Sequence, residues 1–218
     1  MGLTGRARLP RRIRVRLAAE GGFTLPELLV SMVILLIVIA SLASVLVSAT
    51  RGQVDANNRF QAQEQARSGL DYLRRELHCA SSVTQTSGTA LAAGTAYAAV
   101  TANVPATCPT AGGTALYVTW CTSASTLTTG DYALYRVTSP TVRPTCSSAG
   151  KVKWADYLKT STPFCLPSTT VACGGVLKPT LSLPVLHVTM PVNLRGPSAT
   201  IESYNLVDDI ALRNGTRS

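Results

Sequence analysis

The stretch of sequence that decides the fold is GGFTLPELLVSMVILLIVIASLASVLV, residues 21–47. From Leu28 to Val47 it runs for 20 residues without a charged side chain. At 1.5 Å per residue, a helix of that length spans about 30 Å, the thickness of the hydrocarbon core of a bilayer. We therefore predict one transmembrane helix near the N-terminus.

Basic residues crowd the N-terminal side of this helix. Six of the 20 Lys and Arg residues lie in the first 22 positions, together with one acid, Glu20. Positively charged flanks stay in the cytoplasm. We therefore expect a single pass through the cytoplasmic membrane, with the N-terminus inside and the bulk of the chain outside.

The rest of the chain carries a modest charge. The formal net charge is +9, but the residues after position 22 include 14 basic and 10 acidic side chains, a balance of +4. A strongly basic surface would favour a nucleic-acid partner. A balance of +4 supports nucleic-acid binding only weakly, and a solvated, mildly basic exterior explains it better.

Three explanations fit a basic flank followed by an apolar helix. They are a cleaved secretory signal, an uncleaved signal anchor, and a short leader that is removed ahead of a retained helix. A secretory signal has an apolar core of about 7 to 15 residues with the cleavage site behind it. The core is longer here, so the choice falls between the other two.

The string GGFTLPELL, from Gly21 to Leu29, resembles the processing motif of type IV prepilins and type II secretion pseudopilins. The resemblance implies that prepilin peptidase cuts between Gly22 and Phe23, removes a leader of residues 1–22 and methylates the amine of Phe23. It also implies that residues 23–50 form the membrane and assembly helix. That helix would join other pilin or pseudopilin subunits on an inner-membrane platform, in an extracellular or periplasmic filament.

Two residue types in this string have physical reasons to be there. Glycine lets a peptidase approach the backbone closely at position 22. Proline at position 26 is tolerated in the first turn of a helix, where its missing N–H would have no partner.

Glu27 is an acid at the edge of the apolar helix. The positive end of the helix dipole favours a carboxylate there without any further role. In the resembling family, however, the glutamate at this place pairs with the N-terminal amine of a neighbouring subunit, which implies an assembly role for Glu27. Such a pair would neutralise two buried charges and fix the axial register of subunits.

The helical pattern continues beyond the membrane as an amphipathic segment, residues 51–80. Acid-first pairs at i, i+4 support it, namely Asp55 with Arg59 and Asp71 with Arg75. The segment Leu70 to Val83, LDYLRRELHCASSV, is similar to the helix end of larger minor pilins and J-type pseudopilins. The apolar side chains expected to share one face are Phe60, Ala66, Leu70, Leu73 and Leu77.

Residues 81–218 are rich in Thr, Ser, Ala, Gly and Pro and read as an extracellular β-rich domain. We expect long loops over residues 84–114 and 139–184. The predicted fold class is α+β and pilin-like, with a long N-terminal helix packed on a C-terminal antiparallel sheet. The strand candidates are Ala115–Cys121, Tyr132–Thr138, Val185–Val192 and Ser203–Leu212.

All six cysteines follow the apolar helix and none forms a CxxC pair, which favours disulfides in an oxidising compartment over a metal site. We predict local pairs between Cys108 and Cys121 and between Cys165 and Cys173. The disulfide candidates are Cys79, Cys108, Cys121, Cys146, Cys165 and Cys173.

Nothing in the sequence indicates an enzyme, a cofactor or a resident metal. There are two histidines, His78 and His187, and no hydrolase, metalloprotease or nucleotide-binding motif accompanies them. Structural roles are expected for both. Asp208 and Asp209 are too few to predict a calcium site, since neighbours in a strand point to opposite faces.

The sequence therefore predicts a structural subunit, more typical of a minor than of a major one because its domain is large, loop-rich and cysteine-stapled. The alternative is an unprocessed, single-pass anchor that carries an extracellular binding domain.

Overall fold

The computed structural model describes residues 22–127, 129–175, 177, 183–193 and 203–213. Most of the predicted leader lies outside the described residues. One helix, α1, spans Leu25–Cys79, and a short 3-10 helix spans Pro109–Ala111. The strands are β1 (Ser82–Thr84), β2 (Ala96–Tyr97), β3 (Ala99–Val104), β4 (Leu116–Ala124), β5 (Tyr132–Ser139), β6 (Val152–Leu158), β7 (Phe164–Cys165), β8 (Val185–Asn193) and β9 (Ser203–Ala211).

The helix α1 is continuous across Gly52 and Gly69, two positions where glycine weakens helical propensity. The described chain divides into a first unit that ends at Thr50 and a second unit that begins at Arg51, and the boundary falls within α1. In the second unit a Cβ built on Gly69 would lie 3.4 Å from Cβ of Trp154. Glycine therefore lets α1 approach β6 closely at this point.

The strands of the second unit form one antiparallel sheet in the described residues. Strands β3, β4, β5 and β6 lie side by side in chain order, with β1 beside β3 and β8 beside β6. Strand β8 also pairs with β7 and with β9, and β2 pairs with β7. The expected α+β, pilin-like fold class is confirmed.

The sheet buries one face against the part of α1 that follows Thr50. The side chains that α1 contributes to the core recur every three or four residues, as a single helical face requires. Phe60 is not among them, because its side chain is 64% exposed, and that part of the predicted apolar face was wrong. The buried apolar residues of α1 are Ala62, Ala66, Leu70, Leu73 and Leu77.

The ion pairs on α1 follow the prediction in part. The carboxylate of Asp55 lies 2.7 Å from Arg59, at the expected i, i+4 spacing. Asp71 pairs with Arg74 at 3.5 Å, one residue earlier than the predicted partner Arg75. Both spacings bring side chains together on a helix surface.

Four strand candidates are present as β4, β5, β8 and β9; the last three start at the predicted residue, and the other ends differ by one to three residues from the prediction. The two predicted long loops, residues 84–114 and 139–184, were wrong in part, because they contain the four strands β2, β3, β6 and β7, and β1 ends at the start of the first. Strand β3 has the sequence AVTANV and buries four of its six residues, including Thr101. Its small residues gave too weak an alternation to be detected as a strand.

Three disulfides staple the second unit. Cys79, the last residue of α1, is bonded to Cys108, and Cys121 of β4 is bonded to Cys146. The predicted pair of Cys108 with Cys121 is therefore wrong. Cys121 lies within β4, and Cys108 sits beside the helix end, a long-range proximity that spacing along the chain could not reveal. The third bond joins Cys165 to Cys173, which is the other local pair predicted.

Candidate processing and assembly site

The predicted cleavage site lies at the start of the described residues, immediately before α1. Gly22, Phe23 and Thr24 precede α1 and belong to no helix or strand. A Cβ built on Gly22 would meet nothing within 4 Å, and the Phe23 side chain is 79% exposed. Among the described residues, nothing covers the peptide bond between Gly22 and Phe23, which leaves it accessible to a peptidase.

Thr24 occupies the N-cap position immediately before α1. Its carbonyl oxygen accepts hydrogen bonds from the N–H groups of Glu27, at 3.0 Å, and Leu28, at 3.2 Å. The spacing of Thr24 and Glu27 is that of a capping box, in which residues at the N-cap and N3 positions engage each other. The Thr24 hydroxyl lies 3.5 Å from a carboxylate oxygen of Glu27, at the outer limit of such a contact.

Pro26 occupies the first turn of α1 without cost. The first N–H groups of a helix have no intrahelical acceptor, so proline removes a donor that would have been unpaired. The helix starts one residue before it, at Leu25.

The carboxylate of Glu27 is exposed in the first turn of α1, at the positive end of the helix dipole. Among the described residues, no Lys, Arg or His forms an ion pair with it. Glu27 follows Phe23, the predicted new N-terminus, by four residues. Its carboxylate is available to a cation from outside this chain.

The apolar part of α1 is bare in the isolated chain. Every residue from Gly22 to Thr50 is exposed, including all the large aliphatic side chains between Leu28 and Val47. Within the described residues, α1 is the one helix long and apolar enough to cross a membrane. An exposed apolar surface of this size marks a membrane or protein interaction surface.

Four hydroxyl groups in this segment, those of Ser31, Ser41, Ser44 and Thr50, are satisfied within the helix. Ser31 donates to the Leu28 carbonyl at 2.9 Å, and Ser41 donates to the Val38 carbonyl at 2.7 Å. The Thr50 hydroxyl donates to the Leu46 carbonyl at 3.0 Å. Because an unpaired polar group is costly in hydrocarbon, these bonds make the segment compatible with a bilayer. The sequence gives a signal for them, namely a Ser or Thr with a carbonyl three or four residues earlier.

The two histidines have structural contacts. Nδ1 of His78 lies 2.8 Å from the carbonyl oxygen of Ala211, linking the end of α1 to β9. Nδ1 of His187 lies 2.6 Å from Oδ1 of Asp209, and its Nε2 lies 2.9 Å from Oγ1 of Thr189. The ring of His187 is buried, which favours a packing role.

Asp208 and Asp209 do not converge on a common point. Asp208 Oδ2 accepts a hydrogen bond from Arg74 Nε at 2.7 Å, whereas Asp209 contacts His187 on the neighbouring strand. The hydrogen bond to Asp208, helped by the charges of Asp208 and Asp71, outweighs the effect of burial and raises the pKa of Arg74. In the described part of the chain, no group of three or more His, Cys, Asp or Glu side chains is arranged to hold a metal ion.

Comparison with known proteins identifies the N-terminal region. Residues 17–43 match the model of the prokaryotic N-terminal methylation motif. No curated protein and no solved structure matches the chain. The chain thus carries the type IV prepilin-like motif predicted from GGFTLPELL. Its motif is that of a precursor in a structural, pilin-like family that is not known for enzymes.

Proposed function

We propose that this protein is a structural subunit of a type IV pilus or a related pseudopilus. The match of residues 17–43 to the methylation motif carries the proposal. In this role prepilin peptidase cuts the precursor between Gly22 and Phe23 and methylates the amine of Phe23. The exposure of Gly22 and Phe23 supports the position of the cut.

The mature chain assembles through α1. Its apolar surface is first covered by lipid and then by the helices of neighbouring subunits on the inner-membrane assembly platform. The carboxylate of Glu27 pairs with the methylated amine of Phe23 in an adjacent subunit. The exposed position of Glu27 in the first helical turn supports this pairing.

The domain that follows the membrane helix lies in the periplasm or outside the cell. Three disulfides support this location, because such bonds persist in oxidising compartments. The arginine-rich leader supports the opposite location for the N-terminus. Nucleic acid is not proposed as a partner, since the charge balance after the leader is small.

A minor subunit is proposed in preference to a major one. The domain contains several turns held by disulfides, among them the one that joins Cys165 to Cys173, at a sequence separation of 8. A long-looped, stapled domain suits a tip or priming position better than a closely repeated filament wall.

N-terminal sequencing and intact-mass measurement of the protein isolated from membranes test the proposal. The expected product begins with N-methylated Phe23. An intact leader on the membrane-bound protein would favour the unprocessed single-pass anchor instead. A Gly22→Val variant serves as a control, because a branched side chain at the cleavage site should leave the precursor uncut.

A further inference from the structure

A groove with a volume of about 210 Å³, lined by both polar and apolar side chains, opens beside α1 in the second unit. The α1 wall of the groove carries the side-chain amides of Asn58, Gln61 and Gln65, with Ala62 between them. These residues are spaced three and four apart and so share one face of the helix. In the described part of the chain, no protein group is hydrogen-bonded to any of the three amides.

The opposite wall holds an ion pair. Oδ2 of Asp156 accepts a hydrogen bond from Nζ of Lys153 at 2.7 Å, and Oδ1 accepts one from the backbone N–H of Tyr157 at 2.9 Å. The Asp156 side chain is only 2% exposed, whereas that of Lys153 is 39% exposed. The two charges compensate each other, so the groove has no excess charge to attract an ion.

Tyr157 adopts an unusual backbone conformation where it lines the groove. Its φ angle is +62°, and among the described residues it is the one non-glycine residue with a positive φ. A bulky residue in the left-handed region is strained and persists only where its surroundings hold it. Here the Asp156 carboxylate holds the Tyr157 amide. Such strained residues concentrate at binding sites, where the strain presents a side chain to a ligand.

We propose that this groove binds a neutral, hydroxyl-rich ring of the size of one saccharide unit. Three unpaired amides offer donors and acceptors side by side, which is what neighbouring hydroxyl groups require. Tyr157 and Leu127, which also line the groove and are not buried, offer apolar surface for the C–H face of a sugar. The compensated Lys153–Asp156 pair favours a neutral ligand over a charged one.

The size of the groove limits the ligand. Pockets for drug-sized molecules begin at about 300 Å³, so this smaller groove fits one ring, either as a free monosaccharide or as the end of a glycan. Binding of this kind goes beyond the filament role and does not depend on it.

Saturation-transfer difference NMR on the full-length protein tests the proposal. The protein is held in amine-oxide micelles, because glycoside detergents would compete for the groove. The probes are N-acetylglucosamine, methyl glucoside and a chitin tetrasaccharide. Saturation transfer to the monosaccharides indicates a ring site, and transfer to the terminal unit of the tetrasaccharide alone indicates a glycan-end site. Transfer to none of the probes overturns the proposal.

Two groove variants locate the site. Gln61→Ala removes one amide from an exposed helix position, and loss of one neutral hydrogen bond should weaken binding about fivefold. Tyr157→Asn removes the ring while keeping a residue that tolerates a positive φ, and it should abolish the signal. Gln53→Ala, the same substitution on α1 outside the groove, is the matched control and should bind normally. Unchanged transfer in both groove variants overturns the proposal.

A cross-linking experiment separates a ligand groove from a contact between subunits. A photoreactive amino acid in place of Gln61 is activated in whole cells. Little cross-linking to protein is expected. Efficient capture of a neighbouring subunit would show that a protein side chain fills the groove and would overturn the proposal.

Discussion

The indole Nε1 of Trp120 donates a hydrogen bond to Oε2 of Glu76 at 2.7 Å, and both side chains are completely buried. The other carboxylate oxygen of Glu76 accepts from Nε of Arg136 at 3.0 Å. The register of β4 with β5 places Trp120 directly opposite Arg136, so both donors face the same point on α1. An isolated buried carboxylate would be very costly, and these contacts allow Glu76 to join the helix to the sheet.

Replacement of Glu76 by Gln should lower the free energy of unfolding by about 3 to 5 kcal/mol, because it leaves the mostly buried guanidinium of Arg136 without its counter-charge. The amide oxygen can still accept from Trp120, so the loss reports mainly on the Arg136 pair. Chemical denaturation of the full-length protein in micelles, followed by tryptophan fluorescence, measures the change. Glu64→Gln, on the exposed side of α1, should alter stability by less than about 0.5 kcal/mol. Equal effects of the two variants would contradict this role of Glu76.

The membrane helix and the processing motif could be predicted because their signals are continuous in sequence. Strands β4, β5, β8 and β9 were also predictable, since their β-branched and aromatic residues form dense runs. The burial of Glu76 could not be predicted, because a glutamate beside two arginines in a helix is normally solvent-exposed. Its burial depends on donors from β4 and β5, which are brought to it only by the fold.

The other wrong predictions also concern features that depend on tertiary contacts. The partner of Cys108 and the exposure of Phe60 depend on where α1 meets the sheet, which residue spacing does not encode. The groove beside Tyr157 also lacked a signal in sequence, since its walls come from segments about 90 residues apart along the chain.

Loss of the Cys79–Cys108 disulfide should destabilise the protein more than loss of the Cys165–Cys173 disulfide. The first bond closes a loop of 29 residues and the second a loop of 8. The chain-entropy model gives about 3.6 and 2.5 kcal/mol for these loops. Paired Cys→Ser variants, compared by denaturation, measure the difference. Peptide mapping under non-reducing conditions checks the connectivity, and a cross-linked peptide containing Cys108 and Cys121 would refute it.

Low pH should lower the free energy of unfolding of the second unit, in part because Asp156 becomes protonated. Burial opposes ionisation of this group, but hydrogen bonds from Lys153, Ser125 and the Tyr157 amide outweigh burial and hold the pKa of Asp156 below its usual value. A carboxyl group with a lowered folded-state pKa stabilises the fold above about pH 4, and that stability is lost as the pH falls through the folded-state pKa.

The Asp156→Asn variant tests this assignment. Its unfolding free energy should fall less steeply than that of the wild type between about pH 5 and pH 2. Asp71→Asn, at an exposed position of α1, controls for the removal of one surface carboxylate. If wild type and Asp156→Asn lose stability in parallel over this range, Asp156 is not a source of the acid sensitivity.

Hydrogen bonding to Asp156 raises the pKa of Lys153, with burial acting against it and the charge of Asp156 adding to it. A lysine with a raised folded-state pKa stabilises the fold below about pH 10, and this contribution disappears as the pH rises through the folded-state value. Lys153→Met should therefore show a flatter loss of stability in alkali than the wild type, measured by the same denaturation. Lys151→Met, an exposed neighbour, is the control, and identical alkaline profiles for wild type and Lys153→Met would refute the prediction.

Replacement of Glu27 by Gln or Ala should leave membrane insertion and leader removal intact but reduce incorporation into filaments. Loss of a charge-assisted hydrogen bond corresponds to about a tenfold or larger weakening of subunit contact. The mobility of the processed chain on an immunoblot reports on cleavage, and the yield of sheared filaments reports on assembly. Glu64→Gln on the same helix should assemble normally. Wild-type filament yields from both Glu27 variants would exclude the carboxylate from assembly, whereas an uncut precursor would assign it to recognition by the peptidase instead.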